Sequence, residues 1–339
     1  MFNLFRIFAP ELTSEGMKIY KFKPILKQTI WGGDKIAALK HLSDAPDHLG
    51  ESWEVSGVEG DVSVVADGPY AGMSLSDLID QEQGRMMGEH VYQRFGNRFP
   101  LLIKFIDAQR DLSIQVHPTD EQARAAGNPC GKTEQWIIMK GSAPDAAVRV
   151  GLQRPITPEQ YRQMVADSTI CDAVARYTVR EGDCFFLPAG RIHSICSGSL
   201  LLEIQQTSDI TYRIFDFNRR DKNGNLRQLH TEQAAACIDY RVEADYQLHY
   251  QAEPNQLTQL VSCPHFTTGI LDLDGTQQLS VADHDSFLLV MVIDGSGTLQ
   301  ADDEKPLSIQ SGETVLVAAN TATLTISGQI KLVTAFIGQ

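Results

Sequence analysis

The sequence predicts a mainly β protein: two jelly-roll β-barrels in tandem, the first enlarged by helical insertions. Three observations carry that expectation. Short runs of apolar residues bounded by turns recur along the chain, at the spacing of a sandwich or barrel. Helix start and stop signals are confined to the first two-thirds. A loop rich in charge and glycine, Asn218 to Asn225, separates one β-rich region from a second that runs from about residue 240 to the end. The expected units are therefore residues 18–239 and residues 240–339.

The elements follow in order. After Lys18, a strand-like start is broken at Thr29-Ile-Trp-Gly-Gly33 by a glycine turn. Glu51-Ser-Trp-Glu-Val-Ser56 and Val62-Ser-Val-Val65 read as strands. Ser74 is placed to cap a helix with Leu75, Leu78 and Ile79 on one face. Leu101 to Asp107 and Leu112 to His117 are short strands joined by a polar turn. Pro118 to Gly127 has a helix's punctuation: a Thr cap, early acids and a terminal glycine. Thr133 to Met139 is a strand with Glu134, Trp136 and Ile138 on one face. Thr157-Pro158 opens a further helix, proline taking its first position. Strands then dominate, at Tyr177–Val179, Cys184–Leu187, Leu200–Gln206 and Thr211–Phe217. In the second region short runs fall at 266–273, 286–293, 297–301, 314–318, 322–326 and 330–336.

Composition bounds the function. The chain has 339 residues and a formal net charge of −14. That balance excludes nucleic acid and anionic membranes as partners, since both demand basic surface. An anionic substrate would need a local cluster of Lys or Arg. The 6 cysteines form no CxxC pair, which argues for a reducing cytoplasm rather than a disulfide framework. No apolar run reaches membrane-spanning length. Met17 offers a second start, which would make residues 1–16 a leader without the design of a signal peptide.

Chemistry concentrates in two half-sites. Gln115 and His117 lie two apart on an apolar run, so both point to one face of a strand. The stretch Gly182-x5-Pro188-x-Gly190-x2-His193 leads from a glycine turn through a strand and a Pro-x-Gly corner to a histidine. It resembles the second motif of the cupin superfamily, with Ser197 where an asparagine is usual. In the first cupin motif Gln115 replaces a histidine, and Glu121 falls at the carboxylate spacing. Glu121 sits in the first turn of the expected helix, where the helix dipole favours a solvated acid. Glu134 opens a strand and can face the barrel interior. Two imidazoles, a carboxylate and an amide oxygen suit zinc and leave a position for water or substrate. In the second region, Gly312 to Thr323 repeats the glycine and the strand, but Ala318, Asn320 and Thr323 replace the Pro, Gly and His. That unit is expected to bind no metal and to serve structure or a dimer surface.

At these residues the sequence resembles the type I mannose-6-phosphate isomerases in their short bacterial form. The resemblance rests on Thr29-Ile-Trp-Gly-Gly33, Gly50-Glu-Ser-Trp-Glu-Val-Ser56, Leu102-Ile-Lys-Phe-Ile-Asp-Ala108, Leu112-Ser-Ile-Gln-Val-His-Pro118, Gly131-Lys-Thr-Glu134, Pro188-Ala-Gly-Arg-Ile-His193 and Leu202 to Arg213. It implies tandem cupin-type barrels and one zinc ion per chain, held by Gln115, His117, Glu134 and His193, with Arg213 as the catalytic arginine. It also implies a sugar-phosphate substrate and proton transfer between C1 and C2 through an enediolate. Lys132 and Ser113 share strand faces with Glu134 and Gln115 and are candidate substrate contacts. Glu203 could orient a ligand or the arginine. A structural ion pair of Arg213 with Asp209 or Asp216 is the competing reading. The chain is expected to be a monomer or homodimer. Two other functions remain: a metal-dependent cupin dioxygenase, against which Gln115 speaks, and a sugar-phosphate-binding cupin without turnover.

Overall fold

The computed structural model describes residues 17–220 and 224–338. The expectation of a leader over residues 1–16 lies outside the described residues. Three antiparallel sheets carry the chain, and none of them closes on itself. The first holds, in spatial order, Gln247–Leu248, Cys184–Leu187, Glu134–Ile138, Leu200–Gln206, Leu101–Asp107, Leu49–Ser56 and Ile25–Gly33. The second holds Tyr212–Phe215, Ile114–Val116, His193–Ile195, Ala147–Leu152 and Val174–Thr178. The third is built from the strands between Thr258 and Phe336, and it takes in the early strand Ile19–Lys21, which pairs with Val315 to Val317. Among the described residues no helix is long and apolar enough to cross a membrane.

Strand periodicity explains the layering. Along Leu101–Asp107, Leu101, Ile103 and Phe105 enter a core shared with the third sheet and the helices between Leu75 and Phe95. Ile106 turns the other way, toward the second sheet, with Trp136, Ile138, Leu201 and Ile195. Each fully buried aliphatic side chain here is worth about 1.5–3 kcal/mol. A lysine at position 104 of so apolar a strand must therefore be paired. Beyond the second sheet, Ile114, Val116, Ile214 and Phe215 pack on the helices Pro158–Ala166 and Thr231–Cys237.

The expected caps form. Ser74 accepts from the Asp77 amide, and Thr119 and Thr157 each complete a capping box, with Gln122 and Gln160. Three expectations need correction. Val62–Val65 forms only isolated bridges, Val64 to Ser74 and Val65 to Phe22, and not a strand. The helix Thr231–Cys237 lies just past the region expected to hold helices; its three consecutive alanine and cysteine neighbours carry no clear amphipathic period, and His230 caps it without a side-chain bond. Unbroken alternation along Thr211–Phe217 puts Thr211, Arg213 and Phe215 on one face, but the pairing slips between Arg213 and Phe215. The bulge turns Phe215 into the helix-side core.

The Pro188-Ala-Gly190 corner ties the half-sites together. The Gly190 amide donates to the His117 carbonyl at 2.8 Å. Gly190 has φ +90°, and a Cβ there would lie 2.9 Å from the Cys237 carbonyl oxygen. Replacing it with alanine is expected to cost about 1–3 kcal/mol of stability, through left-handed strain and this clash. A lower denaturant midpoint with an unchanged slope checks this.

Candidate metal centre

The second sheet sets three functional side chains in a row. Its strand Ile114–Val116, second from the edge, pairs Gln115 with His193 on one side and with Arg213 on the other. Across from them, Glu134 projects from the first sheet, between Gln205 and Leu187 in register. His117 lies one turn of the pleat beyond Gln115. His193 Nε2 is 3.2 Å from Glu134 Oε1, and His117 Nε2 is 3.5 Å from Glu134 Oε2. Gln115 Nε2 lies 3.2 Å from His193 Nε2. The amide's two ends have nearly the same shape, so a half-turn presents its oxygen to the same point.

The surroundings hold these groups for a cation. His117 Nδ1 meets the Ile210 carbonyl at 2.9 Å, and His193 Nδ1 meets that of Arg191 at 2.8 Å. With Nδ1 donating, each ring turns its Nε2 lone pair inward. Burial lowers the pKa of both: His193 to about 4, and His117 well below its ordinary value with help from Lys132. Both are therefore neutral ligands at neutral pH. Burial raises the Glu134 carboxyl above its usual range, against the pull of Lys132. Glu134 is fully buried, and its two oxygens face the two imidazoles. Lys132 Nζ lies at ion-pair distance, 3.0 Å from Glu134 Oε2, and 3.2 Å from His117 Nε2. A buried carboxylate, two neutral imidazoles and an amide brought together in this way fit a divalent metal ion. Among the described residues it is the one cluster of this kind.

The cluster opens into a cavity of about 480 Å³ lined by Ser113, Gln115, Lys132, Glu203, Thr211 and Arg213. Ser113 Oγ approaches Gln115 Oε1 at 3.5 Å. Arg213 is not in an ion pair with Asp209 or Asp216. Its Nη1 donates to the Gln228 carbonyl at 2.9 Å, and its Nε is buried without a partner among the described residues. Its strand is fastened to the following helix: the His230 amide donates to the Arg213 carbonyl at 2.7 Å. Glu203 does not touch Arg213. It accepts from Trp136 Nε1 at 2.8 Å and pairs with Lys104 at 3.2 Å. Burial opposes the charge on Glu203, but Lys104, Lys132 and Trp136 outweigh it and hold the carboxyl below its ordinary range. Glu121 is exposed in the first turn of the helix Asp120–Ala125.

Sequence reasoning assigned nothing to Lys104, Glu51 or Arg227, which also line the cavity. Lys104 had a usable signal, as the lone charge in a run of Leu, Ile and Phe. Burial disfavours its charge, yet Glu51 and Glu203 raise its pKa above the ordinary lysine value.

Facing antiparallel sheets around a buried His/Glu/His cluster define a cupin-type protein with a metal-binding site. The family model "Phosphomannose isomerase type I, catalytic domain" matches residues 19–141, and "Mannose-6-phosphate isomerase, cupin domain" matches residues 256–337. The mannose-6-phosphate isomerase of Bacillus subtilis is 36% identical over 282 residues, covering 82% of this chain and 86% of that protein. The mannose-6-phosphate isomerase of Streptococcus mutans is 30% identical over 313 residues, covering 91% and 95%. A crystal structure of the Bacillus subtilis mannose 6-phosphate isomerase superposes with a TM-score of 0.84 at 29% identity, over 94% of this chain and 99% of that one. The chain belongs to the type I mannose-6-phosphate isomerase family.

Proposed function

We propose that this chain interconverts mannose 6-phosphate and fructose 6-phosphate, with one zinc ion held by Gln115, His117, Glu134 and His193. The observation that carries the reading is the fully buried Glu134, its two oxygens facing two inward-turned imidazoles. The ligand atoms of His117, Glu134 and His193 all lie within 4.8 Å of one another, so these residues would hold one ion together with the Gln115 amide oxygen. A bound zinc supplies a Lewis acid for the sugar's carbonyl oxygen.

The protein's own side chains do the rest. Moving a proton between C1 and C2 builds negative charge on the enediolate, and Arg213, one strand over from Gln115, faces that charge. A guanidinium cannot serve as the base, because its pKa exceeds about 12. Lys132 and Ser113, on the cavity wall, contact substrate hydroxyls. Glu203 orients Lys104 toward the sugar, with Trp136 fixing the carboxylate. We read the catalytic unit as residues 18–239 and the metal-free unit as residues 240–339, each a jelly-roll barrel. The 6 cysteines, all free, suit a reducing cytoplasm. A monomer or homodimer suffices, since every site residue comes from one chain.

A coupled assay with mannose 6-phosphate, together with elemental analysis, tests this. Turnover that is lost on chelation and restored by zinc is expected, with one metal per chain. Two metals per chain would contradict a metal-free second unit. Binding without turnover would leave a sugar-phosphate-binding protein, and oxygen consumption a dioxygenase.

A further inference from the structure

A hexose 6-phosphate carries its reacting carbons and its phosphate at opposite ends, so the anion must be held away from the metal. The charges near the cavity divide in the same way. Around the metal cluster, Lys104 and Lys132 are answered by Glu51, Glu134 and Glu203. Past Arg213 the balance changes. Among the described residues, Arg213, Arg219 and Arg227 face one carboxylate, Asp216, which is the acid that supports the charge of Arg213 and Arg227. Among the described residues, three guanidiniums against one carboxylate leave an excess of two positive charges, in a chain of formal net charge −14. A phosphate monoester supplies nearly two negative charges at neutral pH.

The three arginines are not equivalent. Arg219 spends its donors on the Asp111 and Asp216 carbonyls and on the Asp216 carboxylate, and it does not line the cavity. Arg213 and Arg227 both line it. Arg213 lies beside Gln115, at the reacting end. Arg227 is set by one ion pair, Nη1 to Asp216 Oδ1 at 3.2 Å. Asp216 itself is 4% exposed, with its second oxygen unpartnered among the described residues. A buried acid so placed fixes one edge of a guanidinium and leaves the fork available to an anion.

We propose that Arg227 grips the substrate's phosphate group, with Asp216 as its positioning residue. This rests on the isomerase reading above and adds to it the residue that restricts the site to phosphorylated sugars. A neutral hexose would leave the positive pair of Arg213 and Arg227 unmatched in a half-buried wall.

The test compares the wild-type chain with Arg227→Gln and Arg227→Lys, using mannose 6-phosphate as substrate and inorganic phosphate as competitor. In R227Q, kcat/KM is expected to fall about 100-fold, with the loss carried by KM more than by kcat. The inhibition constant for inorganic phosphate should rise by about tenfold or more. R227K should recover part of both, and all three proteins should hold the same metal content and melt alike. If KM and phosphate inhibition in R227Q stay within about twofold of wild type, the assignment is wrong. A melting-temperature drop with KM unchanged would likewise reduce Arg227 to a structural residue. Should the wild type itself fail to turn over mannose 6-phosphate, the isomerase reading fails on its own. Calorimetric titration of wild type and R227Q with inorganic phosphate then still decides the anion site.

Discussion

Replacing His193 with alanine is expected to strip the metal and abolish turnover together. His193 is buried and lies edge-on to Trp136, with ring centroids 5.3 Å apart, while the Arg191 carbonyl fixes its tautomer. Alanine removes that nitrogen, and water admitted there cannot replace a fixed imidazole. Loss of a supporting partner of a metal ligand costs about 10–100-fold in affinity, so loss of a direct donor should exceed that range. Without Lewis-acid help the carbonyl loses several kcal/mol of stabilisation, which is about 10³-fold in rate or more. Elemental analysis after gel filtration and a coupled isomerase assay read the two losses. A melting curve close to wild type shows that the fold survives. A variant with full metal and normal turnover would remove His193 from the site.

Arg213→Ala makes the contrasting prediction: metal retained, with kcat down about 10²–10³-fold, the range seen when one preorganised donor to a developing oxyanion is removed. The size of the effect follows from placement. Arg213 stands in register with Gln115 and is only partly neutralised, because burial, Arg227 and Arg219 all disfavour its charge while, among the described residues, Asp216 supports it. A guanidinium strained in this way gains most when negative charge appears beside it. Its backbone is held on both sides of the peptide by His230, so the substitution removes the charge without loosening the strand. Measured against Arg227→Gln, the two variants should separate: the first in kcat, the second in KM. Normal turnover by Arg213→Ala would end its catalytic assignment.

The cluster was legible because its signals are local. The two-residue spacing of Gln115 and His117 sets a shared face, and the Pro-x-Gly corner before His193 marks the end of one strand and the start of the next. Glu134 was separable from Glu121 by helix-start chemistry alone, and the structure leaves Glu121 in solvent. The cavity's other walls were not legible. Lys104 pairs with Glu203 across 99 residues of chain, and Arg227 reaches Asp216 from a loop with no periodicity. Such pairings depend on strand order, which hydrophobic pattern does not encode. The bulge at Ile214 was hidden for a related reason: alternation assumes an unbroken ladder. Open rather than closed sheets are invisible at this level too, since both show the same period of two.

The pairing of Ile19–Lys21 with Val315–Val317 has a consequence for how the molecule is made. During synthesis this early segment leaves the ribosome nearly 300 residues ahead of the strand that receives it. The metal-bearing sheets can assemble meanwhile, but the third sheet gains that edge only after almost the whole polypeptide has emerged. Contacts of such long separation are slow to close. A clasp thus forms late, fastening the beginning of the described chain to a strand near its end.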